Sequence, residues 1–190
     1  MRILFFDFET TGFSERWNEI IEIAGIVYDM EESTIIDTFH EYIKPQNRIP
    51  RDVIELTGIT NEAVENCRSE KEVLDDFVVF IMGQQIDAVC GHNCKSFDLR
   101  FLRAKSEKYG FPYEEMIENK DIIDTYRIAQ QYRRDGRLPK DIPSLRQPQL
   151  AEFYGIDYQA HSALEDVKAL IEIYKKMIKK PINTREELGF

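Results

Sequence analysis

Three runs rich in β-branched and aromatic residues crowd the start of this chain: Ile3–Phe8, Ile20–Tyr28 and Thr34–Ile43. Residues of this kind suit a pleated, half-buried surface. Connections as short as Asp29–Ser33 return a chain to a neighbouring antiparallel strand rather than across a sheet. A three-stranded antiparallel meander is therefore expected before any helix of length. The remainder alternates. Pro45 and Pro50 bracket a loop, and a short helix over Arg51–Leu56 ends at Gly58. Ser69 and Glu72 have capping-box spacing, after which Val73, Leu74, Phe77, Val78 and Ile81 follow at helical intervals as far as Gly83. Ile86–Cys90 and Ile122–Ile123 read as a fourth and fifth strand, each followed by a helix, Phe97–Tyr109 and Thr125–Arg134. Asp135–Ser144 is a loop. Pro148 suits the first turn of a helix reaching Tyr154, and a last helix runs from Ala163 to about Lys179. A meander followed by alternating strands and helices implies the α/β class, with a mixed five-stranded sheet flanked by helices. One domain over residues 1–180 and a C-terminal tail over 181–190 are expected.

The charge bounds the function. With 25 Lys and Arg against 35 Asp and Glu the formal charge is −10, which excludes a nucleic-acid binder acting by bulk positive charge. The charge is uneven. Residues 1–94 hold 7 basic and 19 acidic side chains, whereas 95–190 hold 18 and 16. A polyanion site on the second half is compatible with that distribution. Cys67, Cys90 and Cys94 form an odd set without CxxC spacing, so buried thiols in a reducing, cytoplasmic compartment fit better than disulfides or a zinc site. The N-terminus breaks its apolar run at Asp7, unlike a signal peptide. No apolar run approaches the ~20 residues that cross a bilayer. A soluble protein without a membrane partner is expected.

Two acids then stand out. Asp7 and Glu9 lie at i and i+2 on the first strand, so their carboxylates share a face, opposite Phe6 and Phe8. They sit at the strand's C-terminal end, where open α/β sheets place their sites. Holding two carboxylates close is costly unless a cation neutralises them. Asp98 falls in the first turn of the helix after the fourth strand, a position the helix dipole favours in any case. Ser162 and Glu165 have capping-box spacing. That puts His161 just outside the last helix and Asp166 one turn inside it. An imidazole beside a rigid carboxylate suits a general base.

Together, Phe6-Asp7-Phe8-Glu9-Thr10-Thr11-Gly12, His92-Asn93 with Phe97-Asp98, and His161-Ser162-Ala163-Leu164-Glu165-Asp166 resemble the three motifs of the DEDDh exonuclease family. Leu56-Thr57-Gly58-Ile59-Thr60 is similar to that family's segment between its first two motifs. The resemblance spans residues 5–166 and implies a ribonuclease H-like fold. It further implies a 3′→5′ exonuclease using two Mg²⁺ or Mn²⁺ ions. Asp7 would bridge them, Glu9 and Asp166 would complete one site, and Asp98 would support the other. His161 would take the proton from the attacking water. Thr10, Gly12, Ile59 and Phe97 would contact the terminal nucleotide. The implied partner is a single-stranded or frayed 3′ end, most simply of DNA, with RNA left open, and a polymerase partner is compatible. The competing reading is a catalytically silent module of the same fold that binds nucleic acid or a polymerase. Arg100, Arg103, Lys105 and Lys108, and Arg127, Arg133, Arg134 and Arg137, could guide phosphates, but most of them read as solvated helix faces. Gln147–Tyr154 loosely resembles a sliding-clamp-binding peptide, but its apolar spacing is that of a packed helix. His40 and His92 are assigned no metal role.

Overall fold

The structure, a computed structural model, describes residues 1–157, 160 and 162–179. The expected tail at 181–190 lies outside the described residues. Strands β1 (Arg2–Thr10), β2 (Ile20–Asp29) and β3 (Thr34–Lys44) form the antiparallel meander. Helices α1 (Arg51–Thr57) and α2 (Asn61–Val64) follow, then strand β4 (Arg68–Ser69) and helix α3 (Glu70–Met82). Next come β5 (Ala88–Gly91), α4 (Asp98–Tyr109), a π-helical turn over Glu114–Glu118, and β6 (Asp121–Asp124). Helices α5 (Thr125–Arg134), α6 (Gln147–Phe153) and α7 (Ala163–Ile178) complete the described chain.

The sheet has six strands in the order β4-β3-β2-β1-β5-β6, one more than the sequence suggests. The addition is β4, two exposed residues pairing in parallel with the end of β3 at Ile43 and Lys44. A two-residue strand has no periodicity to detect, and the short α2 and the π-helical turn escape notice for the same reason. β5 runs parallel to β1, and β6 parallel to β5. The capping box on α3 forms as expected, with the Ser69 backbone N–H and hydroxyl both donating to the Glu72 carboxylate at 2.9 and 2.6 Å.

Side-chain alternation along β1 sorts the core into two layers. Leu4, Phe6 and Phe8 face α3 and α4, packing with Phe77, Phe101 and Leu102. Ile3 and Phe5 face α7, packing with Val167, Leu170 and Ile171. The α7 face then changes character: beyond Phe5 the same side of β1 presents Asp7 and Glu9. The apolar stretch of the strand is thus covered by the body of α7, and its two acids meet the helix's first turn. A third cluster, with Ala129, Leu138, Leu150 and Ile173, packs α5 and α6 against α7. The three cysteines are free, Cys90 and Cys94 being buried as expected. Among the described residues no helix is long and apolar enough to cross a membrane.

Candidate active site

Asp7 and Glu9 on β1 and Asp166 in the first turn of α7 each offer a carboxylate oxygen, and these oxygens lie within 4.8 Å of one another. Asp98, the first residue of α4, is 3 % exposed and stands beside them from the opposite layer. Its Oδ1 accepts the Phe8 backbone N–H at 3.2 Å. β5 pairs with β1 only from Ile3 to Phe5, so that N–H faces a gap that Asp98 fills. His161 lies outside the described residues.

The cluster is electrostatically uneasy. Burial, then the charges of Asp98, Glu9, Asp166 and Glu22, hold Asp7 well above the usual carboxylate range. Burial, then Asp166, Glu22 and Asp98, push Glu9 up to about 8. Burial pushes Asp98 up to about 7, against the helix N–H and Phe8 N–H that favour its anion. Like charges this close cannot all ionise without a counter-charge. The donor set fits a hard divalent cation. Two oxygens on one octahedral ion of ~2.1 Å bond length stand about 3 to 4 Å apart, inside the spacing found.

Three further polar residues, none of them marked by a motif or period, hold the acids in place. Glu22, opposite Glu9 in the β1–β2 register, is fully buried. Its Oε2 accepts the Ala163 N–H at 3.2 Å, and its Oε1 meets His40 Nε2 at 2.7 Å. This corrects the expected capping box. The Ser162 side chain makes no capping bond, and Glu165 pairs instead with Lys168 at 2.6 Å. The buried Glu22 carboxylate takes the N-terminal amide, where the helix dipole favours an anion. Gln147, the first residue of α6, donates Nε2 to both the backbone oxygen and Oδ1 of Asp166, each at 2.9 Å. Asp124 accepts the N–H groups of Asn93 and Lys95, at 3.0 and 3.1 Å, and those of Tyr126 and Arg127. It thereby fixes the loop that delivers Asp98 and caps α5. His92 packs into the same corner, its Nδ1 2.9 Å from Thr125 Oγ1, and burial pushes it down to about 4.

The residues expected at the substrate end fall into two groups. Thr10 and Gly12 shape the turn after β1, where the Thr10 hydroxyl donates to the Gly12 carbonyl at 2.6 Å. Gly12 has φ +155°, and a Cβ there would come within 2.8 Å of the Asn18 amide. Asn18 is itself fixed by the Ser14 N–H and the Thr11 carbonyl. Phe97 is half-buried against Phe101, with the exposed Phe13 ring edge-on to it at 6.3 Å. Ile59 lies 5 % exposed in a small cluster with Ile21, Ile49 and Val64. Phe13 and Trp17 stand 86 % and 75 % exposed on the loop after β1, outside any periodic pattern. Their signal was two large aromatics in a turn too short to bury them.

A mixed sheet whose strand β1 ends in paired acids beneath a helix start defines an α/β protein with a carboxylate site. Residues 4–174 match the RNase_T exonuclease family, and the chain belongs to that family. Among curated relatives it is 34 % identical over 176 residues to the PolC-type DNA polymerase III of Caldanaerobacter subterraneus subsp. tengcongensis. That match covers 92 % of this chain and 11 % of the relative. It is 33 % identical over 174 residues to the Thermotoga petrophila counterpart, covering 90 % and 11 %. The chain thus spans about a tenth of the length of these relatives. Among solved structures it superposes on an exonuclease I with TM-score 0.82 at 22 % identity, covering 95 % of this chain and 41 % of that one. On the nuclease domain of 3'hExo, a DEDDh family member bound to rAMP, the TM-score is 0.75 at 21 % identity, covering 97 % and 94 %. The fold is therefore the ribonuclease H-like one of the DEDDh 3′→5′ exonucleases.

Proposed function

We propose that this chain removes nucleoside monophosphates one at a time from the 3′ end of single-stranded DNA. One observation carries the reading: Asp7, Glu9 and Asp166, from a strand end and a helix start far apart in sequence, converge within 4.8 Å. Asp7, Glu9 and Asp166 would hold one divalent ion and Asp7 with Asp98 a second, as Mg²⁺ or Mn²⁺. Such a pair, when bound, stabilises both the attacking and the leaving oxygens of an in-line displacement. The chain's own residues do the rest. His161, immediately before the Ser162 N-cap, takes the proton from the attacking water. Gln147 and Glu22 hold the first turn of α7, so Asp166 meets the strand acids in a fixed place. The Thr10–Gly12 turn approaches the terminal sugar, and Phe97 with Phe13 offers an aromatic face to the last bases, which stacking accepts regardless of sequence. The kinship with DNA polymerase relatives supports DNA as the strand and a polymerase as a working partner.

The test follows 5′-labelled DNA and RNA oligonucleotides of matched sequence on a denaturing gel, with Mg²⁺, Mn²⁺ or EDTA. The expected result is a metal-dependent ladder shortening from the 3′ end, faster on DNA, and lost in Asp7→Asn and His161→Ala. Intact oligonucleotides in every metal condition, from folded protein, would overturn the assignment, and a faster RNA ladder would overturn the choice of strand.

A further inference from the structure

The acid excess of this chain makes its unpaired cations conspicuous. Between Thr125 and Arg146 stand six basic residues, Arg127, Arg133, Arg134, Arg137, Lys140 and Arg146, of which Arg127 pairs with Asp124 at 3.8 Å, against only Asp135 and Asp141. Elsewhere several cations are neutralised locally: Lys71 by Asp75 at 2.7 Å, Arg100 by Glu15 and Arg103 by Glu118, both at 2.6 Å. No described carboxylate lies within ion-pair distance of Arg133, Arg134 or Lys140. These three line one groove of about 720 Å³ with Tyr126, Gln130 and Ser144, and among the described residues no acid lines it. A second groove, beside Lys44, Arg48, Glu62 and Glu65, carries two charges of each sign.

The groove is tied to the carboxylate site through both of its walls. One wall is α5, which is capped by Asp124, the residue that fixes the Asn93–Lys95 loop leading to Asp98. The other wall, Ser144 and Leu145, runs directly into Gln147, whose amide holds Asp166. Arg133 spans between them, donating to the Ile142 carbonyl at 2.7 Å, so its guanidinium is held in a set direction. The ring of Tyr126 stands 5.6 Å from His92, at the end nearest the site. Cations grouped in one groove with an aromatic ring are what single-stranded nucleic acid requires of a surface: phosphate neutralisation, and a face on which a base can stack.

We propose that the groove between α5 and the α5–α6 loop binds the phosphodiester backbone of the single strand 5′ of the nucleotides at the carboxylates. The proposal rests on the exonuclease reading for the direction of the strand. The ten residues of α5 extend about 15 Å. At 3.4 Å or more per nucleotide that accommodates at most about four nucleotides.

Fluorescence anisotropy in EDTA, where nothing is cut, tests it with fluorescein-labelled deoxythymidine oligomers of 3 and 16 residues. Arg134 and Lys140 are exposed, so an R134Q/K140Q variant keeps the fold, which its thermal melt checks. Removing two phosphate contacts should weaken 16-mer binding roughly tenfold or more at low salt. It should also flatten the slope of log K against log salt by about 1.4, at about 0.7 per phosphate. The wild-type preference for the 16-mer over the 3-mer should shrink with it, and R134K should restore the slope at position 134. An unchanged slope, or equal losses for both lengths, would overturn the groove. Failure of wild-type protein to shorten any oligonucleotide with Mg²⁺ or Mn²⁺ would overturn the exonuclease reading instead, while the anisotropy data still decide the groove.

Discussion

The metal-free protein should lose stability as pH rises from 6.5 to 8, and a divalent cation should abolish that loss. Asp7, Glu9 and Asp98 have raised folded-state affinities for protons, with Glu9 near 8 and Asp98 near 7. The unfolded chain releases those protons near pH 4. Between the two, the folded state holds more protons than the unfolded state, so stability falls with rising pH and levels off above the folded values. Other groups contribute little over this window, and what they contribute, such as the Met1 amine held above its usual value by Glu31, is common to the EDTA and Mg²⁺ series. His92, pushed down to about 4, is neutral in both states above its unfolded value near 6.5. The carboxylates held low by hydrogen bonds, such as Glu72, have finished titrating. If the cluster retains a single proton on average, the loss is about 1.4 kcal/mol per pH unit. Over this window that is about 2 kcal/mol, or roughly 4–8 °C of melting temperature for a chain of this length. Melting curves at pH 6.5, 7.25 and 8, in EDTA and in 10 mM Mg²⁺, read it directly. Asp7→Asn, which removes one of the repelling charges, should flatten the EDTA series. Superposable EDTA and Mg²⁺ series, or a melting temperature in EDTA that climbs with pH, would refute the reasoning.

Two local substitutions probe the supports. Gln147→Leu keeps side-chain bulk but removes the amide that holds Asp166, a charge-assisted contact of about 1.5–3 kcal/mol. The half-saturating Mg²⁺ concentration for trimming should rise about tenfold or more, with activity recovering at high metal, and a Mg²⁺ titration unchanged from wild type would remove Gln147 from the account. Gly12→Ala should lower stability by about 1–3 kcal/mol, through both its backbone angle and the clash with Asn18. It should also raise KM for oligonucleotides, whereas a wild-type melt would show that the turn yields freely.

What could be read from the sequence was whatever carries a period or a motif. The alternation in Ile3–Phe8 announced both the strand and the side to which Asp7 and Glu9 would turn, because one rule governs apolar and acidic positions alike. Val73, Leu74, Phe77 and Ile81 marked α3 by the same logic. Glu22, Gln147 and Asp124 were invisible for a common reason: each acts on a backbone or side chain distant in sequence. Glu22 reaches Ala163, Asp124 reaches Asn93, and Gln147 reaches Asp166. In the sequence, Glu22 is one acid inside an apolar strand and Gln147 one amide ahead of a proline. The Ser162–Glu165 spacing misled because local spacing cannot show that a buried carboxylate from another strand has taken the helix end.

The placement of Glu22 has a consequence for how the site tolerates its own charge. A fully buried acid opposite Glu9 adds to the repulsion that raises Glu9 and Asp7, so on electrostatic grounds alone it is a poor neighbour. Its two oxygens, however, are engaged by the Ala163 amide at the helix start and by His40. The amide ties β2 to the turn that carries Asp166, and that turn is also where Gln147 arrives from α6. Three elements therefore fix one carboxylate against two on β1. An arrangement that merely tolerated surface acids would need none of this. Preorganising like charges before their counter-ion arrives does need it, because the free energy of holding them together must come from the surrounding fold.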